Sequence, residues 1–165
     1  MPRSNMLLNA VAALALSGFH ADAQGTRDRS NVASVRTGDP AMEEAKRKAR
    51  ATLPEFFKTA QAPKPSTKNF ALKIGVPVGS ELEFVWIRPF EKKRGRYSGQ
   101  LRNDMIGRSL KFGDTVTFAE SDIADWSYLD DGKMKGNFTT CAIFKNKPQH
   151  EMDAFKKQYG LECEF

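Results

Sequence analysis

Two hydrophobic periods divide the chain. Met42, Ala45, Ala49, Leu53 and Phe56 recur at spacings of three and four, which is one apolar stripe of a helix. Asp39-Pro40 opens it, because Asp is a good N-cap and Pro suits the first helical position. Pro54 falls inside the pattern and is expected to kink or interrupt the helix, since it has no N–H to donate. Thr52 and Glu55 have capping-box spacing, so a second short helix is expected to restart there. Phe56 and Phe57 would then face the core. Gln61 to Ser66, with Pro63 and Pro65, ends the helical region.

From Asn69 the period shortens to two residues. Phe70, Leu72, Ile74 and Val76 alternate with Ala71, Lys73 and Gly75 and predict a strand. Leu82, Phe84 and Trp86 predict a second, apolar on both faces in its later half. Phe90 to Gly95 reads as a charged turn, and Arg96 to Leu101 as a third strand closing a hairpin with the second. Gly113-Asp114 turns into a strand over Thr115 to Phe118, and a last strand is expected over Asn137 to Phe144. Met152, Phe155 and Tyr159 mark a short closing helix over Glu151 to Tyr159. The order predicts an α+β domain: an N-terminal helix packed on a small, curved, mostly antiparallel sheet of about five strands, then a short C-terminal helix.

Between the fourth strand and the last lies S-D-I-A-D-W-S-Y-L-D-D-G-K-M-K-G-N-F-T-T, Ser121 to Thr140. Its carboxylates Asp122, Asp125, Asp130 and Asp131 admit two readings. Paired carboxylates can perform general acid/base hydrolysis, with one raised in pKa. Turn chemistry explains the same residues more simply. Ser121 or Asp122 caps a single helical turn, Asp131-Gly132 is a strong hairpin signal, and Gly132 takes positive φ. Trp126 and Tyr128 then alternate as strand residues, with the indole buried and the phenol near the surface. The spacing of the acids matches no EF-hand loop, whose ligands fall at alternate positions.

The first residues change the picture of where the chain goes. Arg3 precedes an apolar stretch from Met6 to Phe19, and Ala21-Asp22-Ala23 supplies small residues before Gln24. Residues 1–23 therefore read as an export signal cleaved after Ala23. Residues 24–38 are polar and read as a flexible linker, and 39–165 as a single domain. Export predicts a periplasmic or secreted protein with no integral membrane span after cleavage. The formal net charge is +6, and removing the signal takes one Arg and one Asp and leaves it unchanged. A basic balance on an exported protein points away from nucleic acid; it suits acidic envelope surfaces or an acidic protein partner, and it equally serves solubility alone.

The two cysteines, Cys141 and Cys163, are disulfide candidates in an oxidising compartment. The expected bridge ties the tail after the last helix to the final strand. His20 and His150 are the only two histidines, so no His-rich metal site is expected, and no cofactor motif is present. Neither G-x-S-x-G nor G-x-x-x-x-G-K-[ST] occurs.

Several runs, taken in order, resemble a bacterial family, the domain of unknown function 2314 (YegJ-like). They are Asp39-Pro40 with Met42, T-L-P-E-F at Thr52 to Phe56, and E-x-x-W-I at Glu83 to Ile87, which contains Trp86. Then follow the hairpin strand Tyr97 to Leu101, G-D-T-V-T-F at Gly113 to Phe118, and Asp125 to Thr140 with Trp126, Tyr128, Gly132 and Gly136. The resemblance covers roughly residues 39 to 145. It implies a small domain, sometimes exported. It implies no established activity, cofactor or catalytic residue.

The remaining surface signal is basic. Lys92, Lys93, Arg94 and Arg96 form a hairpin tip, and Arg102 extends the run as a candidate cationic binding patch. Taken together, the residues point to a non-enzymatic binding protein of the bacterial envelope, possible forms being an immunity or inhibitor protein. The alternative is a periplasmic hydrolase using the carboxylates of the Asp122 to Asp131 segment.

Overall fold

Asp39 starts the first helix as its type predicts, its Oδ1 accepting the Met42 N–H at 2.9 Å. The structure, a computed structural model, describes residues 38–163. The expected signal (1–23) and all of the expected linker except Gly38 lie outside the described residues. Helix α1 (Pro40–Gln61) buries Ala45, Ala49, Leu53 and Phe56, the predicted stripe.

Pro54 does not break α1. Proline deprives the carbonyl four residues earlier, Arg50, of its helical donor. Both residues are exposed, so water can satisfy that carbonyl. Leu53 and Phe56, buried on either side of the proline, hold the two halves to one core. Each such side chain contributes roughly 2 kcal/mol by burial. The expected restart at Thr52 does not form. The Thr52 hydroxyl instead donates back to the Lys48 and Ala49 carbonyls within the same helix.

Six antiparallel strands follow: β1 (Thr67–Val78), β2 (Glu81–Lys93), β3 (Arg96–Leu101), β4 (Thr115–Phe118), β5 (Ile123–Asp130) and β6 (Lys133–Gly136). Their order in the sheet is β4-β3-β2-β1-β5-β6. The fold is thus α+β as predicted, with six strands. The two longest strands pair from Leu72↔Ile87 to Val78↔Glu81. The charged turn is shorter than expected, because β2 runs through Lys93 and only Arg94-Gly95 turns, with φ of 50° and 80°. Asp131-Gly132 has φ of 50° and 76° and joins β5 to β6 in the same way. Two consecutive positive φ values match the right-handed twist of the flanking strands.

The expected strand over Asn137 to Phe144 is instead helix α2 (Phe138–Phe144). The β-branched and aromatic residues there favour a strand locally. Gly136 and Asn137 override that preference with φ of 75° and 58°, turning the chain off the sheet. The buried Asp125 carboxylate then receives the start of the helix at the Thr139 N–H. Helix α3 (Gln149–Tyr159) ends at Gly160, whose φ is 72°. Cys141 on α2 is bonded to Cys163, so the bridge joins the tail to a helix and not to a strand. The tail also meets the sheet edge, where Met134 donates its N–H to the Gly160 carbonyl at 2.9 Å.

Candidate functional site

The four carboxylates of the acidic segment have four separate settings. Asp122 accepts the Ala119 N–H at 2.7 Å and closes a single 3₁₀ turn, Glu120–Asp122. Asp130 accepts the Ser66 hydroxyl at 2.7 Å. Asp131 is exposed in the hairpin turn. Asp125 is fully buried. One of its oxygens accepts the Trp126 N–H at 2.8 Å, and the other accepts both the N–H and the hydroxyl of Thr139 at 2.7 Å. Asp125 thereby satisfies a donor at the start of α2 from a different element.

Lys73 lies across the sheet from Asp125. Its ammonium donates to the Thr139 hydroxyl at 3.0 Å, so that hydroxyl relays between cation and carboxylate. Burial pushes the Asp125 carboxyl up, against hydrogen bonds from Thr139 and the charge of Lys73. Burial likewise pushes Lys73 down, against the charge of Asp125. Lys73 also sits 5.5 Å from the Trp86 ring centre, and the Trp86 backbone N–H donates to the Asn103 side chain at 3.1 Å. Asp125 is fully buried behind Thr139, while Lys73 is half-buried. Among the described residues no three His, Cys, Asp or Glu side chains converge as a metal site.

Trp126, Tyr128 and Gly136 explain one another. The Trp126 indole N–H donates to the Ala49 carbonyl at 3.0 Å and to the Thr52 hydroxyl at 3.2 Å, which pins α1 to β5. A Cβ on Gly136 would strike the Trp126 carbonyl oxygen and ring, so only glycine lets β6 turn away there. Tyr128 is half-buried, as expected, and stacks on Phe70 at 5.0 Å.

The expected basic patch divides in two. Lys92, Lys93, Arg94 and Arg96 do share the β2–β3 hairpin. Arg102 lies six residues beyond Arg96, about 20 Å away along an extended strand. There its guanidinium covers Phe112 at 4.4 Å. On the hairpin, Lys92 pairs with Glu120 at 3.1 Å and Lys93 with Glu91 at 2.8 Å. The Tyr97 hydroxyl donates to the same Glu120 carboxylate at 2.8 Å. Hydrogen bonds from Tyr97 and Lys92 hold Glu120 below its ordinary range. Among the described residues Arg94 and Arg96 have no ion pair, and these are the cations the hairpin offers outward.

Beside that hairpin opens a groove of about 540 Å³ lined by Phe57, Phe70, Phe90 and Tyr97, with Arg88 and Lys92 at its edge. Phe57 stacks on Tyr97 at 5.3 Å, and Lys92 covers the Tyr97 ring at 4.8 Å. Two register shifts flank the groove, at Lys68/Ala71 and at Ile87/Phe90. Such bulges re-aim side chains. Gly99 makes room for the second, since a Cβ there would lie 2.6 Å from the Pro89 carbonyl oxygen. Sequence reading assigned Phe57 to the core, Phe70 to a strand and Phe90 to the charged turn. The signal that could have found the groove was the cluster of Phe56, Phe57, Phe70 and Phe90 around one basic hairpin.

The carboxylate-capped α2 and the Trp126–Gly136 contact account for the Asp125 to Thr140 run residue by residue, and the same residues fall within a family match. A family model described as an uncharacterized protein conserved in bacteria, DUF2314, matches residues 39–163. The chain belongs to DUF2314. The match reaches further than residue 145 and includes α3 and both cysteines of the bridge. No curated protein and no solved structure matches the chain. Among the described residues of this DUF2314 domain no helix is long and apolar enough to cross a membrane.

Proposed function

We propose that this DUF2314 domain is an exported, non-enzymatic binding module of the bacterial envelope, with the aromatic groove and the basic hairpin beside it as its binding face. The observation that carries the reading is the groove itself: four aromatic walls with Arg88 and Lys92 at its edge, next to a hairpin whose Arg94 and Arg96 are free of ion pairs among the described residues. Apolar concavities with a few placed polar groups are what ligand and partner sites are made of. Aromatic and Arg side chains also dominate interface energies. The fitting partner presents an apolar side chain for the groove and carboxylates or other anions for the arginines.

A protein partner meets both demands, and an immunity- or inhibitor-like role needs nothing more than its occlusion. Export is supported by the apolar stretch from Met6 to Phe19 and by the Cys141–Cys163 bridge, since disulfides persist in oxidising compartments. The hydrolase alternative has no observation in its favour, because the Asp122, Asp125, Asp130 and Asp131 carboxylates are engaged or exposed at separate places. Capture of partners from envelope extracts tests the reading. The triple reversal Lys92→Glu, Lys93→Glu and Arg94→Glu should abolish capture of a discrete partner. Capture that ignores the reversal would overturn it.

A further inference from the structure

A second cleft, of about 400 Å³, lies between α1, β6 and α2 and takes in the bridged Cys141. Its rim carries Lys48 from α1, Lys133 and Lys135 from β6, and Lys145 from the end of α2. Lys133 and Lys135 are alternate residues of one strand, so they project to the same side. Among the described residues Lys133, Lys135 and Lys145 make no ion pair, and Lys48 only covers the Phe138 ring at 5.3 Å.

Two carboxylates also line the cleft, and both are engaged outside the lysine set. Glu44 is held by Arg47 at 2.6 Å and Glu162 by Lys156 at 2.9 Å. Glu162 is nonetheless held below its ordinary range by Lys156 first and by Lys133 and Lys135 in addition, so the field of the β6 lysines reaches across the opening. Four like charges around one concavity repel one another, and a bound anion relieves that repulsion. Between the lysines the cleft is lined by Ala45, Phe138 and Ala142.

The tail completes the wall. Gly160 and Glu162 are held there by the Cys141–Cys163 bond and by the Met134 N–H on the Gly160 carbonyl. The sequence shows none of this, because the four lysines come from three elements that are distant along the chain.

We propose that this cleft binds a phosphate-class oxyanion, presented either by a free phosphorylated ligand or by the headgroup of an anionic lipid. The site is independent of the groove by the β2–β3 hairpin, and its failure would leave that reading untouched.

The test uses the oxidised full chain in two arms. One titrates inorganic pyrophosphate by calorimetry. The other sediments the protein with vesicles of phosphatidylglycerol in phosphatidylcholine, against phosphatidylcholine alone. Binding is expected in at least one arm, weakening with added salt. Pyrophosphate binding assigns a free phosphorylated ligand, and binding only to phosphatidylglycerol vesicles assigns a lipid headgroup. Each charge-assisted contact is worth on the order of tenfold in Kd, so Lys133→Glu with Lys135→Glu should weaken binding by about tenfold or more. Lys145→Glu, on a separate element, should weaken it in the same direction, whereas Lys92→Glu with Arg94→Glu should not. Circular dichroism confirms that each variant is folded. No binding in either arm, or binding indifferent to both the β6 and the α2 reversals, overturns the proposal.

Discussion

Asp125 and Thr139 are joined twice: one Asp125 oxygen accepts both the N–H and the hydroxyl of Thr139, at 2.7 Å each. This contact, with the turn at Gly136 and Asn137, sets the start of α2. Removing the carboxylate leaves a buried N–H without an acceptor and Lys73 without its counter-charge. Losses of that kind cost about 3 kcal/mol or more. Asp125→Ala should lower the unfolding free energy in urea by that amount. A change within about 0.5 kcal/mol, as at ordinary surface sites, would contradict the structural role.

The same residue sets a pH dependence. Burial raises Asp125 above its ordinary 3.8, so the folded protein holds this proton more tightly than the unfolded chain. Its contribution to stability is full below pH 3.8 and is lost as pH rises through the folded value. Lys73 is lowered from 10.5, so its contribution is present above pH 10.5 and is lost as pH falls through its folded value. The stability of the wild type relative to Asp125→Asn should therefore fall as pH rises from 3.8 toward neutrality. A relative stability that rises over that range would show that Thr139 and Lys73 hold the carboxylate charged in spite of its burial.

The bridge between Cys141 and Cys163 closes a loop of 22 residues. Chain-entropy arguments give about 3 kcal/mol for a loop of that length. Cys141→Ser with Cys163→Ser, or reduction of the wild type, should cost that much in urea denaturation. Hydrogen exchange should rise first over α3 and the tail, which rest on α2 and the β6 edge. Uniform exchange across the domain would show that the bridge stabilises the whole fold equally.

How much was legible in the sequence depended on how local the cause was. Asp39-Pro40, Asp131-Gly132 and the strands Arg96 to Leu101 and Thr115 to Phe118 follow from residues adjacent along the chain, and they appear where predicted. Residues 138–144 carry strand-forming side chains. They become α2 because Gly136 and Asn137 turn and because Asp125, on another strand, receives Thr139. Pro54 likewise breaks a helix only when its neighbours permit it, and Leu53 and Phe56 do not. The acidic segment was visible as a cluster, but only the fold shows that its members face different partners. The groove draws on α1, β1, β2 and β3, so no run of sequence displays it. Its basic edge was legible at Lys92 to Arg96, while Arg102 fell at the other end of its strand.

The central claim is that the groove beside the basic hairpin is a binding face. A photo-crosslinking residue placed at Glu91, which lines the groove, tests it most directly when expressed in cells and irradiated. The account predicts a discrete protein adduct that disappears when Arg94 and Arg96 are both changed to Glu. No adduct, or one unchanged by that reversal, would contradict it.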